Sequence, residues 1–173
     1  MAATYYCVDA RPAAGLPGEV HTTKQADLGA VRLFSVANGQ GVTSAVPMAF
    51  IYLSGVASTA AGSVVVFGQG VFSTVLVATG VKGSIAIATA AVDAATKYGW
   101  YTYIGQDIGI ARSAIASNVP VYAGGVSGSV DDVAVKGDQV IGMYARNAAA
   151  GGGDSVILQI DRAVIGMSNE STG

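Results

Sequence analysis

The chain has 173 residues, 24 of them Gly and 30 Ala, and is 51% hydrophobic but only 12% charged. Nine Lys and Arg against eleven Asp and Glu give a net charge of −2, with no basic tract to neutralise phosphates, which argues against nucleic-acid binding, and the hydrophobicity excludes intrinsic disorder. One His and one Cys exclude most metal clusters and any internal disulfide, so the composition suits a structural or assembly protein better than an enzyme.

Residues 1–27 read as an extended N-terminal arm. They hold Tyr5, Tyr6, Cys7 and His21, two prolines (Pro12 and Pro17) and little periodicity. No basic segment followed by an apolar one marks a secretory signal, and a single Cys agrees with a reducing compartment. Residues 28–173 read as a single β-rich domain. Its 24 Val and 11 Ile against 6 Leu (counted over the whole chain) favour strands, because β-branched side chains fit a pleated sheet better than a helix.

In chain order the expected strands are Ala30–Ala37, Met48–Leu53, Ser63–Phe67, Val71–Ala78, Gly83–Thr89, Gly99–Ile104, Asp107–Arg112, Pro120–Tyr122, Val130–Val135, Gln139–Arg146 and Ser155–Ile165. Each is short and bounded by Gly, Asn, Asp or Ser. In Gln139–Arg146, strict alternation puts Val140, Gly142, Tyr144 and Arg146 on one face and Ile141, Met143 and Ala145 on the other. In Ser155–Ile165 it puts Val156, Leu158 and Ile160 opposite Ile157, Gln159 and Asp161. Such a series predicts an all-β fold, an antiparallel β-barrel or sandwich of short strands. At most one short helix is allowed, within Ile85–Lys97, where Ala is frequent and Asp93 and Lys97 form an i,i+4 pair of favourable order.

No charge falls between Arg32 and Lys82, and this stretch is expected to face other protein. A membrane helix is not expected there, since Gly, Ser and Thr interrupt every window long enough to span. Gly39-Gln40-Gly41 and Gly68-Gln69-Gly70 read as two similar hairpin turns. Neither is followed by the third glycine and helix of a dinucleotide fingerprint.

Little chemistry is on offer. His21 is the sole imidazole, so any nucleophile–His machinery would need it, and an arm supports a catalytic base poorly. Asp131, Asp132, Asp138 and Asp154 lack the spacing of a Ca²⁺ loop. Neither a cofactor nor a metal is expected. The one dense aromatic cluster is Tyr98-Gly99-Trp100-Tyr101-Thr102-Tyr103. Trp100 and Tyr101 read either as core anchors or as a sticky strip, which would also suit a carbohydrate-binding module. Candidate interface residues are therefore Tyr5, Tyr6, His21, Trp100, Tyr101 and Tyr103.

The residues Lys97–Tyr101 (KYGWY), Asn118–Tyr122 (NVPVY), Val130-Asp131-Asp132 and Gly137–Gly142 (GDQVIG) resemble small structural proteins of tailed bacteriophages, in particular capsid decoration or cement proteins. The likeness covers roughly residues 80–165. It implies a β-rich, non-enzymatic virion module, made in the host cytoplasm, that binds the outer capsid surface and stabilises the shell. The partners so implied are the major capsid protein and further copies of the chain, a trimer being favoured over a dimer; neither nucleic acid nor membrane is among them. Other assembly parts (tail tube, connector, minor capsid protein) are the alternative within the same class.

Overall fold

A computed structural model describes residues 4–7 and 35–37 by their backbone, and residues 15–34, 48–68 and 70–166 in full. Twelve strands make up its regular structure: β1 (Thr4–Cys7), β2 (Val20–His21), β3 (Val31–Ala37), β4 (Met48–Ser54), β5 (Val64–Phe67), β6 (Thr74–Leu76), β7 (Gly83–Ala88), β8 (Tyr98–Ile110), β9 (Val119–Ala123), β10 (Val130–Asp131), β11 (Gln139–Ala145) and β12 (Ser155–Ile165). No helix occurs among the described residues. The expected all-β, antiparallel fold is what is found: every pairing between these strands is antiparallel. Of the two closures expected, the sheet takes the sandwich-like one. Its order is β1-β3-β4-β8-β7-β12-β11-β9-β10, with β5 and β6 carried on β7 and no closure into a barrel.

The long strand β8 organises the fold. One of its edges pairs with β4, Ser54 opposite Tyr98 through Ala49 opposite Ile104. Its other edge meets β2 at Tyr98–Gly99, β7 at Tyr101–Thr102 and β12 from Ile104 to Ile110 in succession. The two expected strands Gly99–Ile104 and Asp107–Arg112 are thus one continuous strand. It bends where Tyr103 is left without a β4 partner and where Gly105 takes φ +128°.

Three clusters form the core. Val64, Val66, Ile85 and Ile87 join Val140, Met143, Val156, Leu158 and Ile160 in the largest. Val65, Phe67, Ala86 and Ala88 join Ile51, Leu53 and Tyr101 in the second. Consecutive residues of β5 and β7 therefore point into different cores, so both strands are covered on both faces and read as unbroken apolar runs. This accounts for the Ala-rich segment that allowed a helix. In β7 the Ile side chains fill the large core, and the Ala side chains leave room for Tyr101, which pairs with Ala88. The Asp93–Lys97 pair does form, at 2.6 Å, but in a turn after β7. The third cluster is aromatic: Phe34 meets Phe50 edge-on at 5.4 Å and Trp100 at 5.6 Å, and Tyr52 meets Trp100 at 5.0 Å.

Part of the uncharged stretch enters these clusters, while its Leu33, Val71 and Val75 are exposed. All of β5 and all of β4 beyond Met48 are buried, and a doubly covered strand excludes charge because desolvating an unpaired ion is costly. The alternation expected for β11 also fails, at Gly142. Val140 is buried like Met143 and Ala145, while Ile141 and Tyr144 are exposed. The register slips between Ile141 and Met143, where β12 carries extra residues and Arg162 takes φ +46°. A bulge of this kind moves the following side chains to the opposite face. Gly142 has φ +86°, and a Cβ there would lie 2.8 Å from the Asp161 carbonyl oxygen, so only glycine fits.

Candidate contact surfaces

Sequence reasoning singled out six residues, and the structure separates them. Trp100 and Tyr101 are both fully buried, in the aromatic and second cores respectively. They are anchors of the sheet, and neither forms a contact strip or a sugar platform on this chain. Alternation still governs them, since they enter different cores, but β3–β4 packing covers one face and β5–β7 the other. Tyr103 is half-buried and meets Phe67 edge-on at 5.9 Å. Tyr5 and Tyr6 lie in β1, which pairs with β3; their side chains lie outside the described residues.

His21 joins the N-terminal segment to the sheet. In β2 it stands opposite Tyr98. Its Nδ1 is 3.1 Å from the Tyr52 hydroxyl, and its Nε2 is 3.4 Å from Glu19 Oε2. The Gln25 amide also donates to the Tyr52 hydroxyl, at 3.2 Å. Glu19 Oε2 accepts from the Leu16 amide at 2.8 Å, and the Gly18 amide donates to Thr89 Oγ1 at 3.0 Å. Ala26 and Leu28 pack onto the aromatic cluster beneath. Of the residues expected as an arm, Thr4–Cys7 pair with β3, and residues 15–27, mostly turns and bends around the short β2, are fastened onto the sheet. The Tyr98-Gly99-Trp100 motif explains how. Gly99 faces Val20, and a Cβ there would come within 2.8 Å of Val92 Cγ2 and 3.2 Å of the Glu19 carbonyl oxygen. Its lack of a side chain lets β2 lie close.

The carboxylates are dispersed. Buried Asp131 accepts from Ser113 Oγ at 2.9 Å and from the amides of Asp132 and Val133, and lies 3.5 Å from Arg112 Nη1. Asp132 accepts from the Ala116 amide. Asp138, also buried, accepts from the Gly80 amide with one oxygen, while the other has no hydrogen-bond partner. These contacts tie loops together, and among the described residues no three His, Cys, Asp or Glu side chains group as a metal site would require. Asp107 points inward from β8 and accepts from Thr102 Oγ1 and the Ile108 amide; burial raises its pKa against the lowering effect of these two bonds. No helix among the described residues is long and apolar enough to cross a membrane.

Two further features are open among the described residues. A groove of about 420 Å³ lies at the ends of β5, β7 and β12, lined by Phe67, Lys82, Ser84 and Val164. Lys82 Nζ donates to the Gly166 carbonyl across it. The second feature is the outer face of β8, β12 and β11. There Ile108 is 55% exposed, Tyr144 49%, Ile157 41% and Ile141 40%. Sequence reasoning placed Ile157, Gln159 and Asp161 on one side of their strand but did not weigh that side. Its signal was present: two of the outward positions are apolar or amide where a solvated sheet face is ordinarily charged.

No family model matches the chain, and no curated protein matches it. Among solved structures, it is similar to the N base of the head fiber gp8.5 of bacteriophage phi29. The TM-score is 0.52 at 18% identity, over 67% of this chain and 96% of that one. This likeness is one of fold.

Proposed function

We propose that the chain is a structural protein of a bacteriophage virion, a non-enzymatic module seated on the outer capsid surface, where it decorates and stabilises the shell in contact with the major capsid protein. The observation that carries this reading is the shared fold with a phage head-fiber base, which this chain contains almost in full. A many-copy module gains from valency, because weak contacts repeated on a lattice add up to high avidity.

The same likeness favours a second reading, in which the chain is the base of a projecting head fiber. Co-sedimentation of the purified protein with purified particles tests both. Binding at a copy number matching the capsid lattice supports decoration. Binding at a few sites per particle, with projections visible by microscopy, supports the fiber base. Absence of binding to any particle overturns both.

A further inference from the structure

We propose that the outer face of β8, β12 and β11 is a self-pairing surface, which takes the same face of a second copy of this chain. In register, Ile157 of β12 stands opposite Ile108 of β8, and Gln159 stands between Gln106 of β8 and Tyr144 of β11. Gln106 Nε2 donates to Gln159 Oε1 at 2.9 Å, which joins the two central amides and leaves their other polar groups available to a facing surface. Ile141 extends the patch beyond Tyr144. A contiguous exposed apolar face of this kind marks an association site.

The charges around the patch select the occupant. Of the outward positions, Gln106, Ile108, Ile157, Gln159 and Tyr144 are uncharged, while Arg146 stands beside Ile157 and Asp161 opposite Ile104. Arg146 follows Tyr144 at one end, its amide bonding the Ile157 carbonyl. Asp161 follows Gln159 at the opposite end, beside the bulge that also carries exposed Arg162. Both Arg146 and Asp161 are exposed. With strand spacing of about 4.8 Å and a rise of about 3.4 Å per residue, the two are roughly 14 Å apart. A two-fold axis lying in the interface, passing across the strands near Tyr144, sets Arg146 of each copy over Asp161 of the other and Tyr144 over Tyr144. Strands of the two sheets then cross at the shallow angle of aligned sheet packing. An interface that meets itself is isologous and closes as a dimer, so this face does not build the trimer that the resemblance led us to expect. Its flat footprint is about 400 Å² per copy at these spacings, about 800 Å² in total, which is below the range of stable specific interfaces. The pairing is therefore expected to be weak and transient, at micromolar concentration or above.

Sedimentation velocity on the full chain from about 1 to 200 µM, a range bracketing that expectation, tests this directly. The expected result is a monomer–dimer equilibrium that Ile157→Glu abolishes. Arg146→Asp and Asp161→Arg should each weaken it about tenfold, as the loss of one close charge pair would, and the double swap should restore it. Far-UV circular dichroism identifies any variant that fails to fold, and the charge swaps carry the test should Ile157→Glu do so. A wild-type chain that stays monomeric overturns the proposal. So does a trimer whose mass is unchanged by these substitutions, or a double swap no better than the single ones. Particle binding that Ile157→Glu removes from a monomeric wild-type chain would assign the face to the capsid instead. The particle-binding reading stands or falls by co-sedimentation, independently of this result.

Discussion

Asp107 shows how a single inward-facing carboxylate sets a pH dependence. Burial raises its pKa from the ordinary 3.8, so ionising it costs more in the folded chain than in the unfolded one. Its effect on stability is absent below the ordinary value, grows as pH rises through the raised one, and is constant above. Asp107→Asn keeps an acceptor for the Ile108 amide and a partner for the Thr102 hydroxyl without the charge. Its melting temperature should equal or exceed that of the wild-type chain at pH 7, and the difference should shrink as pH falls toward the unperturbed range. Asp107→Ala, which leaves those partners unmatched, should lose about 1–2 kcal/mol at pH 7. A wild-type chain that gains stability over Asp107→Asn as pH rises would reverse this assignment. Tyr101 illustrates the opposite case. Its hydroxyl is buried without a hydrogen-bond partner, beside a Thr74 hydroxyl that donates to the Ser54 carbonyl. The residue holds its place by the area of its ring.

At the scale of elements, the join between β2 and β8 depends on Gly99. Gly99→Ala forces a methyl group against Val92 and the Glu19 carbonyl, with an expected loss of about 1–3 kcal/mol from overpacking. The effect is local, so hydrogen exchange should accelerate in residues 15–27 while β11 and β12 keep their protection. Uniform acceleration across the sheet would show that the segment is integral to global stability. The strands themselves were well legible in the sequence because β-branched runs ended by turn residues have a simple physical cause. What escaped was local: the bulge at Gly142 and Arg162 shifts alternation by one position. A lone glycine in an apolar run does not reveal whether the partner strand carries extra residues.

For the whole molecule, the principal pairings are distant in sequence. β7 meets β12 through Gly83 and Ile165, and β8 meets β12 through Ile110 and Ser155. Loop closure on this scale must precede the contacts that reward it, so refolding is expected in milliseconds to seconds rather than microseconds. Trp100, the sole tryptophan, is fully buried where β3, β4 and β8 meet, so its fluorescence follows assembly of the sheet. Its unfolding transition should coincide with that of far-UV circular dichroism, as one cooperative unit requires. Separate transitions would mean that a part of the chain unfolds independently.

The fold class was determined by the sequence alone: Val and Ile in short runs, Gly at the turns and few charges leave an antiparallel β protein as the consistent solution. The candidate surface was much less legible. Whether Trp100 and Tyr101 face solvent depends on what stacks over each side of β8, and within the stretch without charge between Arg32 and Lys82 the strands β4 and β5 are covered on both faces while Leu33, Val71 and Val75 stay exposed. Conversely, Ile108, Ile157 and Tyr144 meet on one exposed face although they lie in three strands separated along the chain. Periodicity tells which side of its own strand a residue takes. Only the pairing of strands and the stacking of layers decides which of those sides is core and which is left to water or to a partner.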